Sequence, residues 1–180
     1  MKILKWILIV VVSIIVLVLV TALFVKKEYA VEKQIEINKP KQEVYNYIVL
    51  LKNQNNFSKW ATMDPAMEKT FSGVDGTVGF ISAWTSQNKN VGTGEQDITK
   101  IDPGKRIDYE LRFKEPMEDS NFAHMTVDSI GENKTLVKWG FDGKMDYPMN
   151  IMMLVMDFDQ MIGGDFEFGL KNLKTILEKE

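Results

Sequence analysis

The chain has 180 residues, with 22 Lys and Arg against 25 Asp and Glu, one histidine and no cysteine. Disulfides, thiolate catalysis and Cys-ligated zinc are thereby excluded, and any zinc site would have to lean on carboxylates. The formal net charge is −3, or −5 without Lys2 and Lys5 at the N-terminus, and no basic stripe with interleaved aromatics is present, which argues against nucleic acid.

Residues 6–25, bounded by Trp6 and Val25, contain only Ser13 and Thr21 as polar residues. At ~1.5 Å rise per residue such a helix covers ~30 Å, the hydrocarbon thickness of a bilayer. Trp6 at one end and Lys26 with Lys27 at the other suit the two interfaces. The competing reading is a cleaved signal peptide, with Lys2 and Lys5 as its basic region and Val20-Thr21-Ala22 as its cleavage site. Signal cores usually run ~7–15 apolar residues, so the longer run here favours an uncleaved anchor. Lys2 and Lys5 nearly balance Lys26, Lys27 and Lys33, and the shortness of the N-terminal tail favours a cytoplasmic N-terminus with the domain exported. The expected division is an anchor with a short tether over residues 1–28 and one domain over 29–180, the usual size for a single core. So short a tether holds the domain against the lipid surface.

Residues 30–37 alternate, with Val31, Ile35 and Ile37 opposite Glu32, Gln34 and Glu36, and predict a first strand. Asn38-Lys39-Pro40 opens a helix whose apolar side is Val44, Tyr47, Ile48 and Leu51. A second short helix is expected over 53–60, with Phe57 and Trp60 three apart. Met67, Lys69 and Phe71 form a short strand running into Gly73-Val74-Asp75-Gly76, where Asp-Gly predicts a tight hairpin turn. Strands follow over 77–85 (Val78, Phe80, Ser82 and Trp84 on one face) and 91–101, where Gly92-Thr93-Gly94 predicts a bulge or close backbone approach. Gly73, Gly76 and Gly79 are followed by neither the lysine nor the helix of a phosphate-binding loop, so no nucleotide cofactor is expected.

From Arg106 the alternation is clean. Ile107, Tyr109, Leu111 and Phe113 share one face; Ala123, Met125 and Val127 share another opposite His124, Thr126 and Asp128; Val137, Trp139 and Phe141 oppose Lys138, Gly140 and Asp142. Three such strands in succession predict an antiparallel sheet with one buried and one wet face. Six of the eleven methionines lie over residues 145–161. This stretch reads as a buried turn filling core gaps or as the adaptable wall of a ligand cavity, with Met153 and Met156 its candidate lining residues. It is too short and too charged for a second span. Gly163 and Gly164 break the chain before a last helix over 165–180, N-capped by Asp165, whose stripe of Phe166, Leu170, Leu173, Ile176 and Leu177 needs a partner. The expected architecture is α+β: a curved antiparallel sheet of about seven strands wrapped around that helix, preceded by one transmembrane helix.

Ile37-Asn38-Lys39-Pro40 with Glu43-Val44, Trp84 at the end of the third strand, residues 91–98, Thr135-Leu136-Val137-Lys138-Trp139 and Asp165-Phe166-Glu167 with Gly169-Leu170 form an ordered set. This set resembles the polyketide cyclase/dehydrase-type branch of the SRPBCC, or START-like, superfamily, whose fold is the helix grip. The resemblance implies a hydrophobic cavity between sheet and final helix that takes an apolar or amphipathic small molecule or lipid. The superfamily contains binders and enzymes, and fold does not settle which.

The residues expected to line such a cavity are Phe80, Trp84, Tyr109, Trp139, Phe141, Met153 and Met156, and the favoured function is ligand binding without catalysis. The alternative is a cyclase- or dehydrase-like enzyme using Glu95, Asp97 or Tyr109 as acid or base, although alternation sends Glu95 and Asp97 towards solvent unless Gly94 bulges the strand. A third reading is a membrane-tethered interaction module with a collapsed cavity. His124 falls on the polar face as a solvated strand histidine, and Asp157-Phe158-Asp159 lacks the remaining ligands of a calcium loop, so no metal is expected.

Overall fold

A computed structural model describes residues 2–115 and 118–179; Met1 and Glu180, the outer ends of the expected anchor and last helix, lie outside the described residues. The apolar run forms α1 (Lys2–Ala22), of which Ala22 alone is buried. It starts and stops earlier than the apolar run itself, so Leu23, Phe24 and Val25 leave the helix before β1 (Glu28–Ile37) begins. α2 (Lys41–Ile48) follows, then a 3₁₀ turn at Leu51–Asn53 and two short helices, α3 (Gln54–Phe57) and α4 (Lys59–Met63). Six strands come next: β2 (Glu68–Ser72), β3 (Ile81–Thr85), β4 (Thr93–Asp102), β5 (Arg106–Glu115), β6 (Asp119–Gly131) and β7 (Lys134–Lys144). The chain closes with a 3₁₀ segment at Met149–Leu154 and α5 (Phe158–Lys179).

The seven strands form one sheet in the order β1-β7-β6-β5-β4-β3-β2, and every neighbouring pair is antiparallel. β2 to β7 are sequential neighbours, and β1 returns beside β7. The alternation read from the sequence sets the faces. Val31, Phe141, Ala123, Tyr109 and Ile98 pair directly across β1, β7, β6, β5 and β4 and form one row of the inner face. One row deeper lie Trp139, Met125 and Ile107, and beyond them Val137 and Val127. These deeper rows are sealed by Ile48 and Leu51 and by Leu170, Leu173 and Leu177 of α5, all 2 % exposed or less. One row shallower lie Leu111, Gln96 and Ser82, where the sheet is only partly covered.

Several local expectations give way to tertiary packing. Gly163 and Gly164 do not break α5, which begins at Phe158 and runs through both. The sequence signal was real but its cause was different: a Cβ on Gly163 would collide with the aliphatic stem of Lys33 on β1, so glycine there lets the helix settle onto the strand. Asp165 is accordingly no N-cap; it sits one helical turn or more inside α5 and pairs with Lys59 of α4. Asp75-Gly76 is not a two-residue turn either. Ser72 pairs with Ile81 across an eight-residue loop, and Asp75 instead accepts hydrogen bonds from the backbone N–H of Leu51 (2.7 Å) and Lys52 (3.2 Å). The strand expected from residue 77 therefore starts at Ile81. His124 is covered rather than solvated, since its ring lies over Gly140 with Nε2 3.2 Å from Glu32. Residues 145–161 are not a buried turn: Met149, Leu154, Val155 and Met161 are exposed.

Truncating the sealed end should destabilise the fold most. Leu173→Ala, at a fully buried position on α5, is expected to cost ~2–5 kcal/mol in denaturant unfolding of the full chain in detergent, against less than ~0.5 kcal/mol for Lys171→Ala on the exposed side.

Candidate ligand cavity

The partly covered end of the inner face encloses a cavity of about 300 Å³, at the small end of the range for small-molecule sites. Its floor is the shallow sheet rows: Phe141, Ala123, Leu111, Gln96 and Ser82, then Phe113, Trp84 and Lys69. Its other walls are Leu51, Gln54, Ser58, Trp60 and Ala61 from the helices after β1, and Ile162 and Phe166 from the first half of α5. The cavity exists because β1 and β7 lie under α5 while β2 to β5 curve away from it, and short helices alone bridge the gap.

An aromatic cluster fixes the inner wall. Trp139 stacks on Phe166 with centroids 4.6 Å apart, and Trp60 meets Phe166 edge-on at 5.7 Å. Phe57 meets Trp139 edge-on at 5.6 Å. Such pairs are worth ~0.5–1.5 kcal/mol each beyond the area they bury. The Lys59–Asp165 ion pair ties α4 to α5 beside this cluster. At the far side Trp84 lies flat across Gly94, where a Cβ would come within 2.7 Å of the indole, and its edge meets Phe113 at 6.0 Å. The glycine that predicted a close approach on this strand is thus the seat of a cavity-lining tryptophan, and the register between β4 and β5 shifts beside it.

The seven residues expected to line the cavity divide. Trp84, Trp139 and Phe141 line it. Phe80 and Tyr109 are buried behind it and do not, and Met153 and Met156 lie half-buried on the segment between β7 and α5, outside the lining. Trp60, Phe166, Leu111, Phe113, Gln96 and Lys69 are lining residues that the sequence reading did not single out. Lys69 was nonetheless legible, because it shares a strand face with Met67, and both line the cavity.

The acid–base candidates are placed elsewhere. Glu95 pairs across the sheet with Arg112 on the outer face, accepting a hydrogen bond from its Nε at 2.8 Å, with Lys114 at 3.3 Å. Arg112 holds the Glu95 carboxyl below the usual glutamate range. Asp97 stands on the same outer face, 3.6 Å from Arg112 Nη2. The local register shift does not turn either carboxylate inward. Tyr109 is fully buried, and burial drives its hydroxyl pKa far above the usual tyrosine value. Gln54 faces that hydroxyl without hydrogen-bond geometry, so Tyr109 Oη and Gln54 Nε2 both lack partners.

What remains inside is amphipathic. Among the described residues, no Asp, Glu, His or Tyr lines the cavity, and Lys69 is its one charged lining residue. Lys69 has no ion-pair partner among the described residues; burial alone lowers its ammonium pKa. Gln54, Asn55, Ser58, Ser82, Asn90 and Gln96 add uncharged polar groups.

Comparison with known proteins agrees with this geometry. Residues 29–178 match the family described as polyketide cyclase / dehydrase and lipid transport. Truncated norcoclaurine synthase from Thalictrum flavum superposes with a TM-score of 0.63 at 9% identity, covering 85% of this chain and 95% of that one. The same enzyme in complex with dopamine and hydroxybenzaldehyde gives 0.62 at 8% identity, over 85% and 88% of the two chains. The Aha1 dimer from Colwellia psychrerythraea gives 0.55 at 17% identity, over 83% and 96%. At these identities the likeness is one of fold. No curated protein matches the chain by sequence.

The outer-face position of Glu95 has a pH consequence. Its folded-state pKa is depressed, so its contribution to stability is complete above the ordinary glutamate range and is lost as pH falls towards the folded value. Glu95→Gln should therefore lower stability at pH 7 and flatten the acid limb of a stability–pH profile measured by denaturant unfolding, while leaving occupancy of the cavity unchanged.

Proposed function

The chain belongs to the polyketide cyclase / dehydrase and lipid transport family, and from that premise we propose that it is a membrane-anchored carrier or sensor of an amphipathic small molecule held between the sheet and α5. The observation that carries this reading is the lining itself: aromatic and aliphatic walls, one unpaired ammonium, and no acid–base pair within reach. Such a surface can desolvate an apolar body and hold a single anionic or hydrogen-bond-accepting head. No carboxylate, imidazole or phenol among the described residues lines the cavity, and Lys69 has no acid–base partner there. Glu95 and Asp97 face away from the cavity and Tyr109 is sealed off from it, so the binding reading is favoured over a cyclase- or dehydrase-like enzyme. α1 is long and apolar enough to cross a bilayer, which supports an anchored rather than a diffusing binder. The domain is proposed to lie on the exported side, and digestion of the domain by protease added to spheroplasts is the expected result; a protected domain would reverse the orientation.

Binding is tested with the full chain in detergent, reading the fluorescence of Trp84 and Trp139 as a single-chain amphiphile is added. Ser82→Trp, which fills the cavity from its floor, should weaken binding about tenfold or more, a loss of ~1.4 kcal/mol. Lys69→Gln should weaken an anionic amphiphile by about tenfold, since charge-assisted hydrogen bonds are worth ~1.5–3 kcal/mol, and leave its neutral alcohol analogue unaffected. No binding of either amphiphile to the native chain would sink the reading.

Tyr109→Phe discriminates between binder and enzyme. Removing a buried, unpartnered hydroxyl should leave stability unchanged or raise it by up to ~1 kcal/mol, with ligand affinity unaltered. A large loss of ligand turnover or affinity on this change would restore Tyr109 as a catalytic candidate.

A further inference from the structure

The open end of the domain is also the end to which α1 is attached. Glu28, the first residue of β1, pairs with Lys144, the last of β7. The same edge of the sheet carries the start of β6, the end of β5, the start of β4, the end of β3 and the start of β2, because every neighbouring pair is antiparallel. Cavity residues Phe113, Trp84 and Lys69 lie within two residues of those strand ends. The sealed rows, Val127 and Val137 among them, lie towards the other edge.

Two contacts fasten this end to α1. Asn150 is completely buried, and its Nδ2 donates to the carbonyl oxygens of Ala22 (2.7 Å) and Val25 (2.9 Å). The Ala22 carbonyl is among those that a helix end leaves without intrahelical partners, and the Val25 carbonyl belongs to the chain just beyond that end. The backbone N–H of Met145 donates to the Lys27 carbonyl at 2.7 Å. The segment carrying Asn150 is thus held beside the point where the apolar helix stops. Around that point Phe24, Tyr147, Met149, Leu154 and Val155 are exposed, Phe24 and Val155 by 86% and 79%. An exposed apolar group of this extent, continuous with a helix apolar all round, has a natural cover in the lipid from which that helix emerges.

We infer that the segment between β7 and α5, latched to α1 by Asn150, is a membrane-docking platform that rests in the interfacial layer of the bilayer and turns the cavity-bearing end of the domain towards the lipid. This inference rests on the reading of α1 as a membrane span and deepens that of the cavity: its ligand is an amphiphile drawn from the leaflet, not one captured from water. The methionine content of the segment then has a use outside the cavity, since flexible thioether side chains adapt to a disordered acyl boundary.

The chain has no cysteine, so single-cysteine variants can be spin-labelled without removing anything. The full chain, reconstituted in phosphatidylcholine vesicles, is labelled at position 149, 155, 16 or 74, and collision with oxygen is compared with collision with a water-soluble nickel chelate. Labels at 149 and 155 should show a several-fold higher oxygen-to-nickel ratio than a label at 74, where the native Val74 is equally apolar and 70% exposed but lies in the β2–β3 loop at the opposite end. Labels at 149 and 155 as nickel-accessible as the label at 74, with the label at 16 in lipid, would overturn the docking alone. A nickel-accessible label at 16 would overturn the anchor reading and the docking with it. Asn150→Asp, which replaces the donating amide with an acceptor of the same shape, should bring labels 149 and 155 into water while label 16 stays in lipid; unchanged depths would remove Asn150 as the latch. Asn150→Ala serves as the second variant if Asn150→Asp does not fold.

Discussion

One helix cannot cover seven strands. At ~4.8 Å between neighbours the sheet is roughly 30 Å across, whereas a helix with its side chains is only ~10 Å wide. α5 lies along β1, held by Lys33 to Asp159 (2.7 Å) near its start and by the Lys174 ammonium to the Glu36 carbonyl (2.7 Å) near its end. Gly163 removes the Cβ that would lift it off the strand. Everything apolar on β2 to β5 must then find other cover. Towards one edge Ile48 and Leu51 supply it and the interior closes; towards the other, α3 and α4 reach part of the way and space remains. The cavity is the remainder of that mismatch between sheet and helix.

The same alternation that makes the sheet decides what the cavity contains. Successive residues of β4 face opposite ways, so Gln96 enters the cavity and its neighbours Glu95 and Asp97 go to the outer face. There they meet Arg112 of β5, and with Lys114 they form a solvated ion-pair group. A one-residue slip would exchange the two sets, and the apolar side chains of the same strands forbid it. Carboxylates are therefore kept out of the cavity by register, not by composition: the chain has 25 carboxylate side chains, and among the described residues none lines the cavity.

Much of this was legible in the residues. Period-two alternation identified β5, β6 and β7 and their faces, and the three-and-four spacing of Phe166, Leu170, Leu173 and Leu177 identified the helix they pack on. Trp84, Trp139 and Phe141 follow directly from those faces. The errors arose where a local signal had a long-range cause. Gly163 looked like a helix stop because the strand beneath it is 130 residues away in sequence, and Asp75-Gly76 looked like a turn because its carboxylate partner, the Leu51 N–H, lies on another element. Tyr109 was placed on the right face, in the same row as the lining residues Phe141 and Ala123, but it is fully buried and lies outside the lining. Which residues of a row stay uncovered depends on the elements packed over each strand, and alternation reports only the side. The methionine-rich stretch failed for a related reason, since apolar residues read the same in sequence whether they are buried in a core or exposed on its outside.

Register also joins the two halves of the molecule. α1 leads into β1 through only a few residues, so the first row of the sheet must lie close to the end of that helix. Because β1 pairs with β7 from its first residue, that row includes the end of β7 and the segment that follows it. Asn150 closes this short circuit with two hydrogen bonds, converting a tether that could swivel into a joint with a defined angle. A protein of this fold with a long linker could hold its cavity anywhere above the membrane. Here the order of the strands, the shortness of the tether and one buried amide together place the partly covered rows, and not the sealed ones, at the end of the domain from which α1 emerges.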